Sequence, residues 1–267
     1  MKIELFNDNF QNYKRYNIPK AQLVIADIPY NIGINAYGSN PAWYIDGDNR
    51  NGESDKAGKA FFNTDHNFNI AEYFHFCNRL LKKEPKEKGK APCMIIFCSF
   101  QQIPTVIKYA EKYGFRKYIP LVFIKKSSPQ VLKANMKVVG ATEYGLILYR
   151  EKLPKFNNEG RMILNWMPWE RDGKEIPRIH PTQKPIGLLK KLIEIFTDPE
   201  DVIIDPCAGS ATTLRASIET GRSCYGFEIN KITCKRAREE MLSEVAIREY
   251  GQIPGQESLY NFMGVMP

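Results

Sequence analysis

A four-residue motif, Asp27-Ile28-Pro29-Tyr30, follows directly after an apolar run at residues 23–26. A short run with β-branched residues predicts a buried strand of a parallel sheet. In open α/β sheets, ligands bind beyond the carboxyl ends of the strands. The motif therefore places an acceptor carboxylate, a proline-stiffened backbone and a flat aromatic ring at a position suited to chemistry. Taken alone, the same four residues also fit a strand end with a turn acid and a packing tyrosine.

A second segment joins a strand, a turn of small residues and a helix. Residues 202–204 predict a buried strand ending at Asp205, residues 208–213 are small and polar, and a later strand ends at Glu228. Small residues let the backbone approach a ligand, and an acid about 20 residues later can accept hydrogen bonds from ribose. The segment predicts a nucleoside-binding unit, although an ordinary strand-turn-helix with a surface glutamate remains open.

The spacing of this second segment favours a cationic nucleoside. The G-x-G-x-x-G spacing of dinucleotide-binding folds is absent, and Asp205 would set a negative charge where a pyrophosphate lies. S-adenosylmethionine carries a sulfonium, an ammonium and an adenosine, so its chemistry matches a carboxylate at the strand end. A nicotinamide-dependent oxidoreductase is correspondingly disfavoured.

The elements that position these motifs alternate between strands and helices. Strands are predicted at residues 3–6, 23–26, 93–97, 119–124, 144–149, 202–204 and 223–227. Helices are predicted at residues 70–81, 103–113, 186–196, 210–219 and 233–245. Such alternation predicts an α/β fold with a doubly wound, mostly parallel sheet. Residues 119–124 and 144–149 are expected to form an antiparallel hairpin with a basic tip.

Two stretches interrupt this alternation. Residues 31–60 are rich in Gly, Asn, Asp and Ser, which indicates a mobile loop beside the site. Residues 150–178 combine prolines, glycines and two tryptophans with alternating charges, which suits an irregular insertion that touches a partner. The two tryptophans fit a small satellite core equally well. The length of 267 residues is compatible with one catalytic domain covering residues 1–267.

Composition narrows the class of protein. The chain is 43% hydrophobic and 25% charged, and no apolar run approaches the length of a membrane span. Six cysteines without a C-x-x-C pair indicate reduced core residues of a cytoplasmic protein, and three scattered histidines predict no metal site. The formal net charge of +8 favours an anionic partner such as nucleic acid.

Three segments resemble the amino-methylating DNA methyltransferases. Residues 205–213 are similar to the cofactor motif of that family, Asp-Pro-Phe-x-Gly-Ser-Gly-Thr-Thr, and residues 27–30 resemble its catalytic motif, Asp-Pro-Pro-Tyr. Residues 180–185 match the segment that precedes the cofactor motif. The catalytic motif comes first, which is the circularly permuted order of the β-class, and the resemblance spans most of residues 3–230.

The resemblance implies a Rossmann-like methyltransferase sheet and a direct methyl transfer. S-adenosylmethionine would be the cofactor, and the target would be an amine on a base flipped out of double-stranded DNA. An aspartate at the head of the catalytic motif favours adenine-N6 over cytosine-N4 as the target. Methylation of cytosine-N4 or of an RNA base remains open, as does a basic nucleic-acid-binding protein with a vestigial cofactor pocket. A homodimer and a partner restriction endonuclease also stay open.

The same resemblance assigns roles to individual residues. The expected catalytic residues are Asp27, Ile28, Pro29 and Tyr30. The expected cofactor-binding residues are Asp8, Thr182, Lys184, Asp205, Cys207, Ala208, Gly209, Ser210, Thr212 and Glu228. The basic hairpin tip and the 150–178 insertion supply the expected DNA-binding residues, Lys125, Lys126, Arg161, Trp166, Trp169 and Arg171.

Two residues depart from the family motifs. Ile28 stands where the catalytic motif has its first proline, so we expect a less rigid backbone with its acceptor carbonyl retained. Ala211 stands where the cofactor motif has a glycine. If that position requires a positive φ, alanine costs about 1 kcal/mol or more there.

Overall fold

The computed structural model describes residues 1–30, 68–126, 131–133, 137–180 and 182–243. The loop expected at residues 31–60 lies outside these ranges. The described strands are β1 (Ile3–Phe6), β2 (Leu23–Asp27), β3 (Cys93–Cys98), β4 (Lys117–Lys125), β5 (Val131–Lys133), β6 (Val138–Val139), β7 (Thr142–Tyr149), β8 (Trp166–Trp169), β9 (Val202–Asp205) and β10 (Ser223–Phe227). The described α-helices are α1 (Ile70–Leu80), α2 (Ile103–Lys112), α3 (Ile186–Phe196), α4 (Thr212–Glu219) and α5 (Lys231–Arg236).

Eight of these strands form one sheet in the order β1-β10-β9-β2-β3-β7-β4-β8. Strand β7 runs antiparallel to both β3 and β4, and every other described pairing in the sheet is parallel. The prediction of a mostly parallel sheet with one antiparallel hairpin strand is confirmed. The short strands β5 and β6 pair separately with each other.

Helices cover both faces of the sheet. Side chains of β2 alternate between the faces, so that Leu23 and Ile25 join one core and Val24 and Ala26 join the other. The first core includes α3 and α4, and the second includes α1 and α2. Because both faces are buried, the central strands are continuous apolar runs, which is why the sequence revealed them.

The stretch at residues 150–178 is not wholly the irregular insertion that we expected. Residues Trp166–Trp169 form β8, which pairs in parallel with β4 at the edge of the sheet. Pro168 lies within this strand, and an edge strand tolerates proline because one side of it needs no ladder hydrogen bonds. That proline and the brevity of the strand concealed it in the sequence pattern.

The predicted helix at residues 233–245 also differs in detail. Helix α5 spans Lys231–Arg236, begins after the Asn230 cap, and continues into a π-helical turn at Ala237–Met241. None of the helices in the described ranges is long and apolar enough to span a bilayer. The His, Cys, Asp and Glu side chains of those ranges form no group of three suited to a metal ion.

Candidate active site

The carboxyl ends of neighbouring parallel strands gather three acids at one edge of the sheet. Asp27 ends β2, Asp205 ends the adjacent strand β9, and Glu228 follows the end of β10, which pairs with β9. The parallel register therefore brings the two sequence motifs together, although about two thirds of the chain separates Tyr30 from Asp205. This edge is where open α/β sheets bind ligands.

The two carboxylate oxygens of Asp27 differ in their hydrogen bonding. Its Oδ2 accepts a hydrogen bond from Lys184 Nζ at 2.5 Å. Its Oδ1 is buried and has no hydrogen-bond partner within the described part of the chain. Burial raises the pKa of Asp27 to about 6, although the Lys184 ammonium opposes that rise. Asp27 thus presents an unsatisfied acceptor at the strand end.

The Tyr30 hydroxyl is fixed by a buried glutamate that was not among the predicted site residues. Tyr30 donates to Glu143 Oε2 at 2.5 Å, and Lys125 Nζ lies 2.5 Å from the other oxygen, Oε1. Burial favours the neutral form of Glu143, but Lys184 and Lys125 outweigh it and lower the pKa of this carboxyl. Glu143 is therefore an anion that ties the tyrosine ring to strand β7. An acid in an otherwise apolar strand was the sequence signal for it.

Lys184 lies in a cage of aromatic rings and carboxylates. The side chain is 6% exposed, and Nζ is 3.9 Å from Glu143 Oε2 in addition to its bond with Asp27. The same Nζ lies 5.3 Å from the ring centroids of Phe97 and Trp169 and 5.7 Å from that of Tyr30. These distances suit cation–π attraction. Asp27 and Glu143 together form an acidic corner of the site. The Lys184 ammonium thus neutralises this acidic corner rather than facing the cofactor turn in this structure.

The backbone of residues 27–30 is held by hydrogen bonds at Ile28 and at Pro29. The Ile28 N–H donates to the Phe97 carbonyl of β3 at 3.2 Å, and the Ile28 side chain is buried. The Pro29 carbonyl accepts from Gln102 Nε2 at 2.9 Å. A proline at position 28 could not make the first of these bonds. Sequence reasoning gave no signal for Gln102.

The turn after β9 is built around Asp205. Its Oδ1 accepts from the Cys207 N–H at 3.0 Å, and its carboxylate also accepts from the Thr213 side chain. Burial raises the pKa of Asp205 to about 7, against the effect of these two hydrogen bonds. Its described partners are neutral groups, so the carboxylate is suited to a cationic ligand.

Small residues shape the rest of this turn. Gly209 has a φ of 51°, and a Cβ added there would meet no atom within 4 Å. Ala211 has a φ of 62° and is fully buried. The suspected positive φ at this position is confirmed. Gly226 on β10 lets the turn lie close, since a Cβ there would be 3.0 Å from Ala208 Cβ and 2.7 Å from Leu214 Cδ1.

Glu228 and Asp8 lie at the ends of neighbouring strands. Glu228 accepts from the backbone amides of Asn230, at 2.6 Å, and Gly209, and burial raises its pKa. Asp8, just beyond β1, accepts from Asn12 Nδ2 at 2.7 Å and from Tyr16 OH at 2.8 Å. The hydrogen bond from Asn12 is the main reason that the pKa of Asp8 is lowered.

The remaining predicted cofactor residues belong either to this turn or to the segment before α3. Cys207 is half-buried, while Ala208, Ser210 and Thr212 are buried. Thr182 is exposed, and its hydroxyl contacts His180 Nδ1 at 2.9 Å. Thr182 and Lys184 flank Gln183, which donates to the Pro177 carbonyl at 3.0 Å and so holds this segment in place.

The predicted DNA-binding residues fall into two groups. Lys126, Arg161, Trp166 and Arg171 present exposed side chains, with Lys126 85% exposed and Arg161 82% exposed. Trp169 is only 9% exposed and packs in the core, and Lys125 lies 4.8 Å above its ring while bonding Glu143. The structure therefore places Trp169 of β8 and Lys125 of the paired strand β4 inward, against Lys184 and Glu143, rather than on the exposed surface where a DNA-binding role was expected.

Comparisons with known proteins agree with this geometry. A family model described as DNA methylase (N6_N4_Mtase) matches residues 21–239. DNA adenine methyltransferase YhdJ of Escherichia coli (strain K12) is 30% identical over 256 residues, covering 86% of this chain and 79% of that protein. Type II methyltransferase M2.DpnII of Streptococcus pneumoniae is 26% identical over 259 residues, covering 91% and 90%.

Solved structures share the fold. The M1.HpyAVI–SAM complex superposes with a TM-score of 0.62 at 21% identity, covering 89% of this chain and 98% of that one. The cytosine-N4-specific PvuII DNA methyltransferase gives a TM-score of 0.61 at 14% identity, covering 89% and 86%. The likeness to these structures supports the fold. The family match includes both the strand end at Asp27 and the turn at Asp205. The chain therefore belongs to the DNA methylase family of N6/N4 methyltransferases.

Proposed function

We propose that the protein transfers a methyl group from S-adenosylmethionine to the N6 amine of adenine in DNA. The observation that carries the proposal is the buried Oδ1 of Asp27, which has no partner within the described part of the chain. Buried acceptors are nearly always satisfied, so this atom is suited to a donor brought by a substrate. The N–H of an exocyclic amine is such a donor. The name of the E. coli relative, a DNA adenine methyltransferase, also favours adenine.

The turn after β9 fits the cofactor. Asp205 is a buried carboxylate with neutral partners, which suits the ammonium of S-adenosylmethionine, and Glu228 would accept from its ribose. Gly209 and Ser210 would line the turn, where a Cβ at Gly209 would meet open space. Asp8 would take the adenine amine. When bound, the cofactor supplies an electrophilic methyl group on a positively charged sulfur.

Asp27 and the Ile28 carbonyl would prepare the target amine. The lone pair of an exocyclic amine is delocalised into the base, which makes the nitrogen a poor nucleophile. Two acceptors that grip its hydrogens would hold the nitrogen pyramidal and aimed, and would stabilise the positive charge that develops on it. Asp27 must be ionised for this role, and Lys184 at 2.5 Å favours the ionised form.

Tyr30 would hold the flipped base. Flipping costs a few kcal/mol, and stacking on an aromatic ring returns about 1–3 kcal/mol. The bond from the Tyr30 hydroxyl to Glu143 fixes the ring before the base arrives, so little side-chain freedom is lost on binding. Thr182 would help to hold the methionine carboxylate of the cofactor, whereas Lys184 is bonded to Asp27 in this structure.

Transfer of labelled methyl groups tests the proposal. The protein is incubated with methyl-labelled S-adenosylmethionine and DNA of mixed sequence, and the nucleosides are then separated after digestion. Label on N6 of adenine would support the proposal. Label on N4 of cytosine would instead identify cytosine as the substrate base. An absence of label in the DNA would exclude both activities.

The variant Asp27→Ala tests the site itself. Loss of the acceptor should lower kcat by at least about 10²–10³-fold, since the group acts where charge develops. Binding of S-adenosylmethionine, measured by calorimetry, should stay close to that of the unmodified protein. Glu87 is exposed, so Glu87→Ala serves as a control that should change neither kcat nor the binding of S-adenosylmethionine. Activity that survives in Asp27→Ala would contradict the assignment.

A further inference from the structure

The Pro29–Tyr30 peptide is oriented by a side chain from another element. Proline fixes its own φ and restricts the residue before it, but its ψ stays free to turn the carbonyl that follows. In this structure the Pro29 carbonyl accepts from Gln102 Nε2 at 2.9 Å. That bond fixes the plane of the peptide from which Tyr30 departs.

The Gln102 amide is itself held in one orientation. Gln102 ends a single 3-10 turn at Phe100–Gln102 that leads into α2. Its Oε1 accepts from the Ser99 N–H at 3.0 Å and from the Ser99 hydroxyl at 3.2 Å. An inverted amide would set its NH₂ group against the Ser99 N–H, so the donor faces Pro29. Because Ser99 follows the end of β3, this links the catalytic motif to the neighbouring strand.

Hydrogen bonds at the two ends of the motif matter because Ile28 restricts the backbone less than a second proline would. The Ile28 N–H bond to Phe97 secures one end, and the Tyr30 hydroxyl bond to Glu143 secures the other. The hydrogen bond from Gln102 to the Pro29 carbonyl holds the backbone between these two ends. Acceptors that act in a transition state must hold their places closely, and small displacements lower the rate.

We propose that Gln102 is a positioning residue that holds the catalytic backbone of residues 27–30 by donating to the Pro29 carbonyl. This inference rests on the proposed function for its effect on rate, but its effect on the backbone is independent of any activity. Gln102 would act on the reaction only through the Ile28 carbonyl and the Tyr30 ring.

The variant Gln102→Glu separates this role from that of a helix cap. Glutamate keeps an oxygen that accepts from the Ser99 N–H, as in an ordinary capping box, but an ionised carboxylate cannot donate to Pro29. The neighbouring Gln101 is exposed, so Gln101→Glu makes the same change in charge without touching the motif. The pair is therefore matched in composition and in charge.

Two measurements test whether Gln102 positions the backbone of residues 27–30. In Gln102→Glu, kcat for methyl transfer should fall roughly ten- to a hundred-fold with cofactor binding and melting temperature unchanged from Gln101→Glu. Hydrogen exchange should become faster at the Ile28 amide, which donates to the Phe97 carbonyl, and stay the same in β9. Equal kcat and equal exchange in the two variants would overturn the inference.

The exchange measurement keeps the inference distinct from the proposed function. If the unmodified protein methylates no nucleic acid, the proposed function fails, and exchange at the Ile28 amide still reports whether Gln102 holds the motif. Faster exchange spread through α2 as well would show a role in capping the helix, and would also count against the inference.

Discussion

The ionisation of Asp27 at the carboxyl end of β2 is favoured above all by the Lys184 ammonium, which bonds its Oδ2 at 2.5 Å. Burial raises its pKa to about 6, Lys184 opposes the rise, Glu143 adds to it, and Lys125 opposes it more weakly. Asp205 on the neighbouring strand is also affected by the charge of Asp27. The ionised fraction of Asp27 near neutral pH therefore depends on the charges around it.

The pH dependence of the reaction follows from this balance. An acceptor carboxylate works when ionised, so kcat/KM should be high above pH 6 and should fall as the pH drops through about 6. In Lys184→Met the charge that lowers the pKa of Asp27 is gone, so the acidic limb should move to higher pH. The pH profile of kcat/KM for methyl transfer measures this shift.

A matched lysine provides the control. Lys126 is 85% exposed, so Lys126→Met should leave the acidic limb where it is. An unchanged limb in Lys184→Met would mean that Lys184 does not set the ionisation of Asp27. The pH at which the acidic limb lies can be measured even if Lys184→Met also lowers the overall rate.

The turn at the start of α4 holds a buried alanine in the left-handed backbone region that L-residues disfavour. Ala211 is buried at a φ of 62°, and its carbonyl accepts from the Arg215 N–H at 3.0 Å as the helix begins. A left-handed conformation costs an L-residue about 1–2 kcal/mol. The chain accepts this strain where the turn approaches the proposed cofactor.

Replacement by glycine should therefore be nearly neutral at this position. Ala211→Gly removes the strain but loses a buried methyl worth about 0.8 kcal/mol, so the free energy of unfolding should change little. Ala216 is equally buried in the middle of α4, where Ala216→Gly should cost about 1–2 kcal/mol. Urea denaturation of both variants measures the difference. Similar losses in both would contradict the strain at Ala211.

At the scale of the whole molecule, the net charge of +8 is combined with exposed basic side chains near the β8 edge of the sheet. Lys126 pairs loosely with Glu170 at 3.5 Å, and Arg171 is exposed just beyond β8. Trp166 on the same strand is 46% exposed. Together with Arg161, these side chains are the part of the predicted DNA-binding set that solvent, and hence DNA, can reach.

Salt dependence of DNA binding tests this surface. Each phosphate contact contributes about −0.9 to the slope of log K against log salt. Arg171→Gln and Lys126→Gln should each reduce the steepness of that slope by roughly this amount, as measured by fluorescence anisotropy. The control is Lys235→Gln on α5, which follows β10 toward the opposite edge and is 71% exposed. An equal change in the control would indicate a general effect of charge.

Local pattern was enough to locate most of the elements and both motifs. The buried strands β2, β3 and β9 are mainly continuous apolar runs, and α1, α2 and α3 have apolar residues at helical spacing, so adjacent residues carried the signal. The order of the catalytic and cofactor motifs is likewise a property of the chain alone. These features predicted the fold, the family and the acids Asp27, Asp205 and Glu228.

The tertiary structure alone decided which other side chains surround those acids. Glu143 reaches Tyr30, Gln102 reaches Pro29, and Lys184 reaches Asp27 because β3, β7 and the segment before α3 meet at one edge of the sheet. The burial of Trp169 likewise follows from the pairing of β8 with β4. Such contacts depend on register between segments distant in sequence, and no local periodicity records which strand will lie beside which.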